Sequence, residues 1–217
     1  MAADRNWRGV ALVEVAAMTA ILLSYIWGWQ RTFPGSSYLI VLLYFGLAVL
    51  SHIWRRESAR QLGLRVDNLP RALRNVAAII VPAIAATLAI GFAAGTLHFS
   101  SWSHIAAGAP WMFVWGTSQQ YGLLCFFYRR FLEILPGSWA ATAAASVAFA
   151  AFHVPNGFLI SVTLAAGVAA CMLYRREPNV LVLGAAHALL SFVLFCSLPL
   201  SVTHGLRVGP GYYVTLS

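Results

Sequence analysis

The chain has 217 residues, 60% of them hydrophobic and 9% charged, with a mean hydropathy of +0.76; this composition excludes an ordinary soluble domain and points to a polytopic membrane protein. The net charge of +8 rests on fourteen arginines and no lysine. They sit at the ends of apolar segments, so topology and anionic headgroups account for them, and nucleic acid is not an expected partner.

A hydrocarbon core about 30 Å thick needs about 20 apolar residues per helix. Seven segments meet or approach this: 9–29, 38–54, 76–98, 108–129, 138–154, 157–174 and 178–198. The first lacks a small-residue cleavage site and is long enough to span, so it is expected to stay as a helix. Pro34 and Gly35 mark the turn after it. The second and fifth segments are short, which suits little tilt or burial within the bundle. Between the second and third lies RRESARQLGLRVDNLPRALRN, residues 55–75, the one sizeable polar stretch. Its arginines alternate with Leu62, Leu64, Leu69 and Leu73, which predicts an amphipathic segment on the cytoplasmic face. Asn68 is placed to cap a short helix there, with Pro70 in the first turn. Pro136 and Gly137 mark the turn between the fourth and fifth segments. Cys125, Cys171 and Cys196 lie inside apolar segments with no C-x-x-C spacing, and read as buried small side chains. His52, His98 and most tryptophans fall near segment ends, as interfacial residues do. The expected fold is all-α: one membrane-embedded domain over 1–217, a polytopic bundle of about seven transmembrane helices.

Polar side chains stranded inside these segments carry the functional signal. Gln119 and Gln120 lie in TSQQYGLLCFFYRRF, His153 in AFAAFHVPN, and His187 with Ser191 in LGAAHALLSFVL. Hydrocarbon does not solvate an amide or an imidazole, so such groups turn inward and find partners. Adjacent glutamines point about 100° apart on a helix, so one faces a site and the other a neighbouring helix. Amides hydrogen-bond but do not exchange protons near neutral pH, whereas histidines do. Phe149 lies one turn before His153, and Ser191 one turn after His187, so each pair shares a helix face. Plainer roles exist for all of them: interhelical hydrogen bonding for the glutamines, a bond from Ser191 to the carbonyl four residues back, and capping of the next helix by Asn156. Two histidines with no third ligand do not make a zinc site, and neither metal nor cofactor is expected.

The order of these motifs resembles the CAAX protease and bacteriocin-processing (type II CAAX endopeptidase) family. Its first motif, Glu-Glu-x-x-x-Arg followed by a basic pair, overlays QQYGLLCFFYRRF without a gap. Gln119 and Gln120 replace the two glutamates, Leu124 replaces the arginine, and Arg129 and Arg130 match the basic pair. Phe-x-x-x-His is intact as Phe149 to His153, and His-x-x-x-Asn or Asp appears as His187 to Ser191. The resemblance covers about residues 105–195. It implies a CAAX-endopeptidase-like bundle with Gln119, Gln120, His153 and His187 in catalytic positions. Tyr121, Phe149, Asn156 and Ser191 would then line the substrate, with the polar groups converging on one interior cavity. It also implies a hydrophobic or lipidated substrate met among membrane lipids. The family mechanism needs a carboxylate as general base, and Gln is none. A buried arginine without its acids would be an unpaired charge in lipid, so the loss of acids and arginine together is self-consistent. Three readings stay open: a peptidase-like enzyme without the usual acids, a non-proteolytic enzyme using the two histidines as acid and base, and a non-catalytic pseudoprotease. Glu133, at the cytoplasmic helix end, is not expected to substitute for the missing acids, and Glu14 is placed to snorkel or pair with nearby arginines. The oligomeric state is not legible.

The arginines set an orientation. With the N-terminus cytoplasmic, twelve of the fourteen lie inside, and only Arg31 and Arg207 lie outside, a strong positive-inside bias. A bacterial inner membrane is the expected location. Reporter fusions at residues 65 and 217 are expected to report opposite sides of the membrane; the same side for both would overturn this topology.

Overall fold

The computed structural model describes residues 2–30, 32, 35–99 and 101–214, with side chains from Trp7 onward. Arg31, Pro34 and the side chain of Arg5, used above for topology and a turn, lie outside the described residues. The α-helices are α1 (Ala2–Ser24), α2 (Ser36–Trp54), α3 (Leu69–Ala93), α4 (Trp102–Gln120), α5 (Arg129–Ile134), α6 (Ser138–Ala151), α7 (Gly157–Arg176), α8 (Val180–Ser197) and α9 (Leu200–Thr203). Among the described residues there is no strand. Among the described residues, five helical stretches are long and apolar enough to cross a bilayer: Trp7–Trp29, Ser36–Trp54, Leu69–Ala93, Gly157–Arg176 and Val180–Ser197. The other two of the seven expected spans differ for local reasons. Helix α6 has 14 residues, so it reaches only about 21 Å at about 1.5 Å per residue. Helix α4 has 19 residues, but Ser103, His104, Gly108, Thr117, Ser118 and the glutamines dilute its apolar character. It also does not continue as a regular helix. Tyr121–Tyr128 wind as a π-helix before α5 begins, and this widened turn changes the angular spacing past Gln120.

By its internal packing the chain divides into two compact units, each discontinuous in sequence. The first comprises Met1–Ser58, Phe126–Cys171 and Arg207–Ser217, with α1 packed on α2 and α5, and α5 on α6. Its centre is an ion cluster. Arg130 is fully buried, and Glu14 and His52 are nearly so; the Glu57 side chain is 9% exposed. Arg130 pairs with Glu57 and Glu133 and lies 3.7 Å from Glu14. Arg55 bonds Glu14 at 2.8 Å and Glu133 at 3.0 Å, and Arg129 meets Glu57 at 2.6 Å. The His52 Nδ1–H donates to Glu57 at 2.6 Å. His52 is therefore a buried member of this cluster and not an interfacial residue. Three arginines balance three carboxylates, which is what permits their burial. Burial works against the charge of Glu57, but the His52 hydrogen bond and the Arg130 and Arg129 guanidinium groups pull its carboxyl down to about 2. Burial also opposes the Arg55 charge, and Glu14 and Glu133 outweigh it, holding the guanidinium above its ordinary range.

The second unit comprises Ala59–Cys125 and Met172–Leu206, with α4 and α3 both packed on α8. The polar stretch before α3, read in the sequence as an amphipathic segment, is not helical ahead of Leu69. Residues 59–68 form turns whose backbone is tied into the unit. Leu62 is buried, and its carbonyl accepts from the Cys125 thiol at 3.0 Å. The Gly63 carbonyl accepts from Val180 N–H at 3.0 Å. The Asn179 amide donates to the Arg65 carbonyl at 2.9 Å and to Asn68 Oδ1 at 2.7 Å, while its own oxygen caps α8 through Val182 N–H at 3.0 Å. Asn68 stands at the N-cap position of α3 but makes no side-chain cap; its amide bonds Glu177 and the Pro178 carbonyl instead. Competition from a buried partner has won over local capping. The helix it precedes is not short, since α3 runs 25 residues.

Glycines bring α4 and α8 together. A Cβ on Gly116 would lie 2.8 Å from the Gly184 carbonyl oxygen, and one on Gly184 would lie 2.3 Å from Thr117 Oγ1 and 2.6 Å from its Cα. Small residues at such crossings let helix backbones touch.

Two outcomes follow from these contacts. Gly184→Ala is expected to lower stability by about 1–3 kcal/mol, because the obstructing atoms include backbone and cannot rotate away; thermal unfolding in detergent reads this, and an unchanged midpoint would contradict the contact. Arg130→Met strands buried carboxylates and is expected to cost about 3–5 kcal/mol. The Glu57 carboxyl lies below its ordinary 4.5 when folded, so its contribution is complete above 4.5 and is lost as pH falls toward about 2. Glu57→Gln is expected to flatten the acid limb of stability against pH.

Candidate active site

Of the sequence-read residues, Gln119, Gln120, Tyr121, His187 and Ser191 belong to the second unit, and Phe149, His153 and Asn156 to the first. The second unit unites its glutamine and histidine directly. Gln120, 3% exposed, ends α4, and its Nε2 lies 3.0 Å from Nδ1 of His187 on α8. Its Oε1 is buried with no hydrogen-bond partner, as is Thr117 Oγ1 one turn earlier. The Trp115 ring meets the His187 ring edge-on, 5.5 Å between centroids. The Gly116–Gly184 approach and Ala188, whose N would lie 3.0 Å from a Cβ on Gly116, set the helix separation at which an amide of this length reaches the imidazole. Gln119 is half-buried and makes no side-chain hydrogen bond among the described residues. Of the two adjacent amides, then, Gln120 bonds the imidazole and Gln119 does not. Ser191 is half-buried and makes no bond to the carbonyl four residues back. Tyr121 is buried at the start of the π-helix. Leu124, where the resembled motif has arginine, is fully buried, and Cys125 beside it bonds the Leu62 carbonyl. A neutral side chain suits that position.

In the first unit, the His153 ring follows the end of α6, and its Nδ1 lies 2.8 Å from the Phe149 carbonyl oxygen. A carbonyl only accepts, so Nδ1 carries the proton and Nε2 keeps a lone pair. The Phe149 ring packs edge-on against it, 5.0 Å between centroids. Asn156 is fully buried. Its Oδ1 caps α7 through Leu159 N–H at 3.1 Å, and its Nδ2 donates to the Arg207 carbonyl at 3.1 Å. Asn156 therefore fills the capping role that its position after His153 allows. Glu133 is held by Arg55 and Arg130, and Glu14 by Arg55, so both pair with arginines. No group of three or more histidines, cysteines or acids suited to a metal occurs among the described residues.

Sequence reading missed Thr117 and Trp115 as neighbours of the glutamine–histidine pair. The signal for their placement was present as Gly116 on α4 and Gly184-x-x-x-Ala188 on α8, a small-residue pattern that marks a close helix crossing.

Residues 121–193 match the family model described as type II CAAX prenyl endopeptidase, Rce1-like. The match starts immediately after the glutamine pair and takes in Phe149, His153, His187 and Ser191. No curated protein matches the chain, and no solved structure matches it.

The environment of Gln120 generates one expectation. Gln120→Met removes the amide from His187 while keeping the side-chain length, so it should alter the His187 ring resonances in NMR spectra of the labelled protein and leave those of His98 and His104 in place; coincident His187 resonances would refute the contact.

Proposed function

We propose that this chain, a helical membrane protein whose resemblance to type II CAAX endopeptidases is supported by the family match over residues 121–193, acts on a membrane-soluble substrate through a site rebuilt around histidine. The substrate class is a lipidated peptide or another hydrophobic molecule. The observation that carries this reading is the hydrogen bond between Gln120 and His187. It places an imidazole against the side chain that stands where the resembled motif has an acid. The family's chemistry makes a peptidase the first candidate. A glutamine does not take a proton from water, so ordinary glutamate-dependent hydrolysis is not the mechanism. The titratable candidates are His153, with a lone pair on Nε2, and His187. Gln120 and the Phe149 carbonyl orient one ring each. Gln119, Tyr121 and Ser191 are proposed substrate contacts.

The absence of carboxylates from positions 119 and 120 favours a second reading, a non-proteolytic enzyme using the histidines as acid and base on a hydrophobic metabolite. The N-terminus is proposed to be cytoplasmic, in a bacterial inner membrane.

Turnover of the native substrate in nanodiscs distinguishes these from a protein that only binds. His187→Ala and His153→Ala are each expected to abolish or cripple turnover, at the general acid–base scale of about 10²–10⁴-fold. Gln→Ala changes should be milder. Restoring glutamate at 119 and 120 is not expected to create a working protease, because Leu124 provides no cation to hold the acids. Full activity in both histidine variants would end the histidine-based reading and leave a pseudoprotease that binds a membrane peptide.

A further inference from the structure

We propose that residues 207–214 form a strap that fixes the turn carrying His153, and that Gly209 and Asn156, which tie the strap to that turn, are positioning residues for the His153 ring. This rests on the reading above that His153 takes part in turnover.

His153 stands just past the end of α6, where regular helix no longer holds the backbone on both sides. Its N–H donates to the Ala150 carbonyl at 2.9 Å, and its own carbonyl accepts from Asn156 N–H at 2.9 Å. The ring is set by Nδ1, 2.8 Å from the Phe149 carbonyl oxygen. A side-chain hydrogen bond is lost by about 3.6 Å, so a displacement of less than about 1 Å at the turn releases the ring. The turn is held from outside α6 and α7. Gly209 N–H donates to the Val154 carbonyl at 2.9 Å, one residue past the ring. The Asn156 amide donates to the Arg207 carbonyl at 3.1 Å. Asn156 is fully buried, so bulk water does not compete for that bond.

The strap is itself anchored. Arg207 Nη1 donates to the Val214 carbonyl at 3.3 Å, which closes the segment on itself. Gly209 and Gly211 are buried. Gly209 has φ +54, a left-handed setting that glycine takes without steric cost. A Cβ there would lie 2.7 Å from Ile26 Cγ2 and 2.9 Å from the Ile26 carbonyl oxygen, and a backbone oxygen cannot rotate away. Glycine therefore lets the strap lie against Ile26 while its N–H reaches Val154. Ile26, His153, the turn and the strap all belong to the first unit. Asn156 does two separable things: its Oδ1 caps α7 through Leu159 N–H at 3.1 Å, and its Nδ2 holds the strap. The cap serves the helix, and the strap bond serves the turn that precedes it.

Nitrogen NMR of the full-length chain, labelled with 15N-histidine in nanodiscs at mildly alkaline pH, where imidazole is neutral, reads the His153 ring, assigned by the signal that His153→Gln removes. Two variants loosen the strap from its two sides. Gly209→Ala adds the obstructing methyl, and Asn156→Ser keeps a capping oxygen for α7 while removing the amide that holds Arg207. Each is expected to shift the His153 Nδ1–H signal or divide it between two tautomers, and to leave the His52 ring, bonded to Glu57 in the same unit, unmoved. His153 nitrogens coincident with wild type in both variants overturn the proposal. So does an equal displacement of the His52 signal, which marks a general role in folding. Wild type supplies an independent reading. Amide exchange at Gly209 is expected to be as slow as at Asn156, and a Gly209 amide exchanging at the open-chain rate overturns the proposal even if a variant does not fold. No substrate is present in either measurement, so loss of the strap's hold is distinguishable from failure of histidine-based turnover.

Discussion

The close approach of two helix backbones at Gly116 and Gly184 is the constraint on which the candidate site rests. Lipid supplies no hydrophobic force between helices, so they associate by packing and by hydrogen bonds that hydrocarbon would otherwise leave unmade. With hydrogen in place of a side chain at both glycines, α4 and α8 come near enough for Thr117 to lie against Gly184. At that separation the Gln120 amide spans the gap to His187. Backbone contact, amide reach and imidazole orientation form one dependent series, and a methyl group at its first step disturbs the last.

The two units handle polarity in opposite ways. The first buries full charges and neutralises them pairwise around Arg130. The second holds its buried contacts with amides, a thiol and backbone carbonyls, apart from the Glu177 carboxylate on Asn68, with Leu124 at the position where the resembled motif has a cation. A buried arginine is tolerable only beside carboxylates, and in this chain Glu14, Glu57 and Glu133 all serve the first unit. The neutral glutamine site and the charged cluster are therefore complementary solutions to the same shortage of acids, of which the whole chain has six.

Much of this was legible in the residues. Span positions follow from hydropathy, and stranded polar groups announce themselves in apolar sequence. The order of Gln-Gln, Phe-x-x-x-His and His-x-x-x-Ser pointed to a family that the match over residues 121–193 supports. The gathering of Glu14 with arginines followed from charge alone. Other features were hidden for specific reasons. The polar stretch before α3 looked amphipathic because its leucines and arginines alternate, but its backbone carbonyls at Leu62, Gly63 and Arg65 are bound by Cys125, Val180 and Asn179. Carbonyl contacts leave no trace in side-chain patterning. Asn68 read as a cap, yet its amide went to partners more than a hundred positions away. The π-helix from Tyr121 to Tyr128 has no composition of its own. His52 looked interfacial because it ends a span, and only the fold brings it against Glu57 and beside Arg130.

The Arg130 cluster also bears on the order in which the chain is made. Glu14 and Arg55 are 41 positions apart and can neutralise each other as soon as the first two helices have emerged. Glu57 must wait for Arg129 and Arg130, 72 and 73 positions later. Until then Glu57 has, of its partners in the finished cluster, only His52. A chain arrested before α5 would therefore display an acidic group that the finished protein conceals, a chemical mark separating incomplete copies from complete ones.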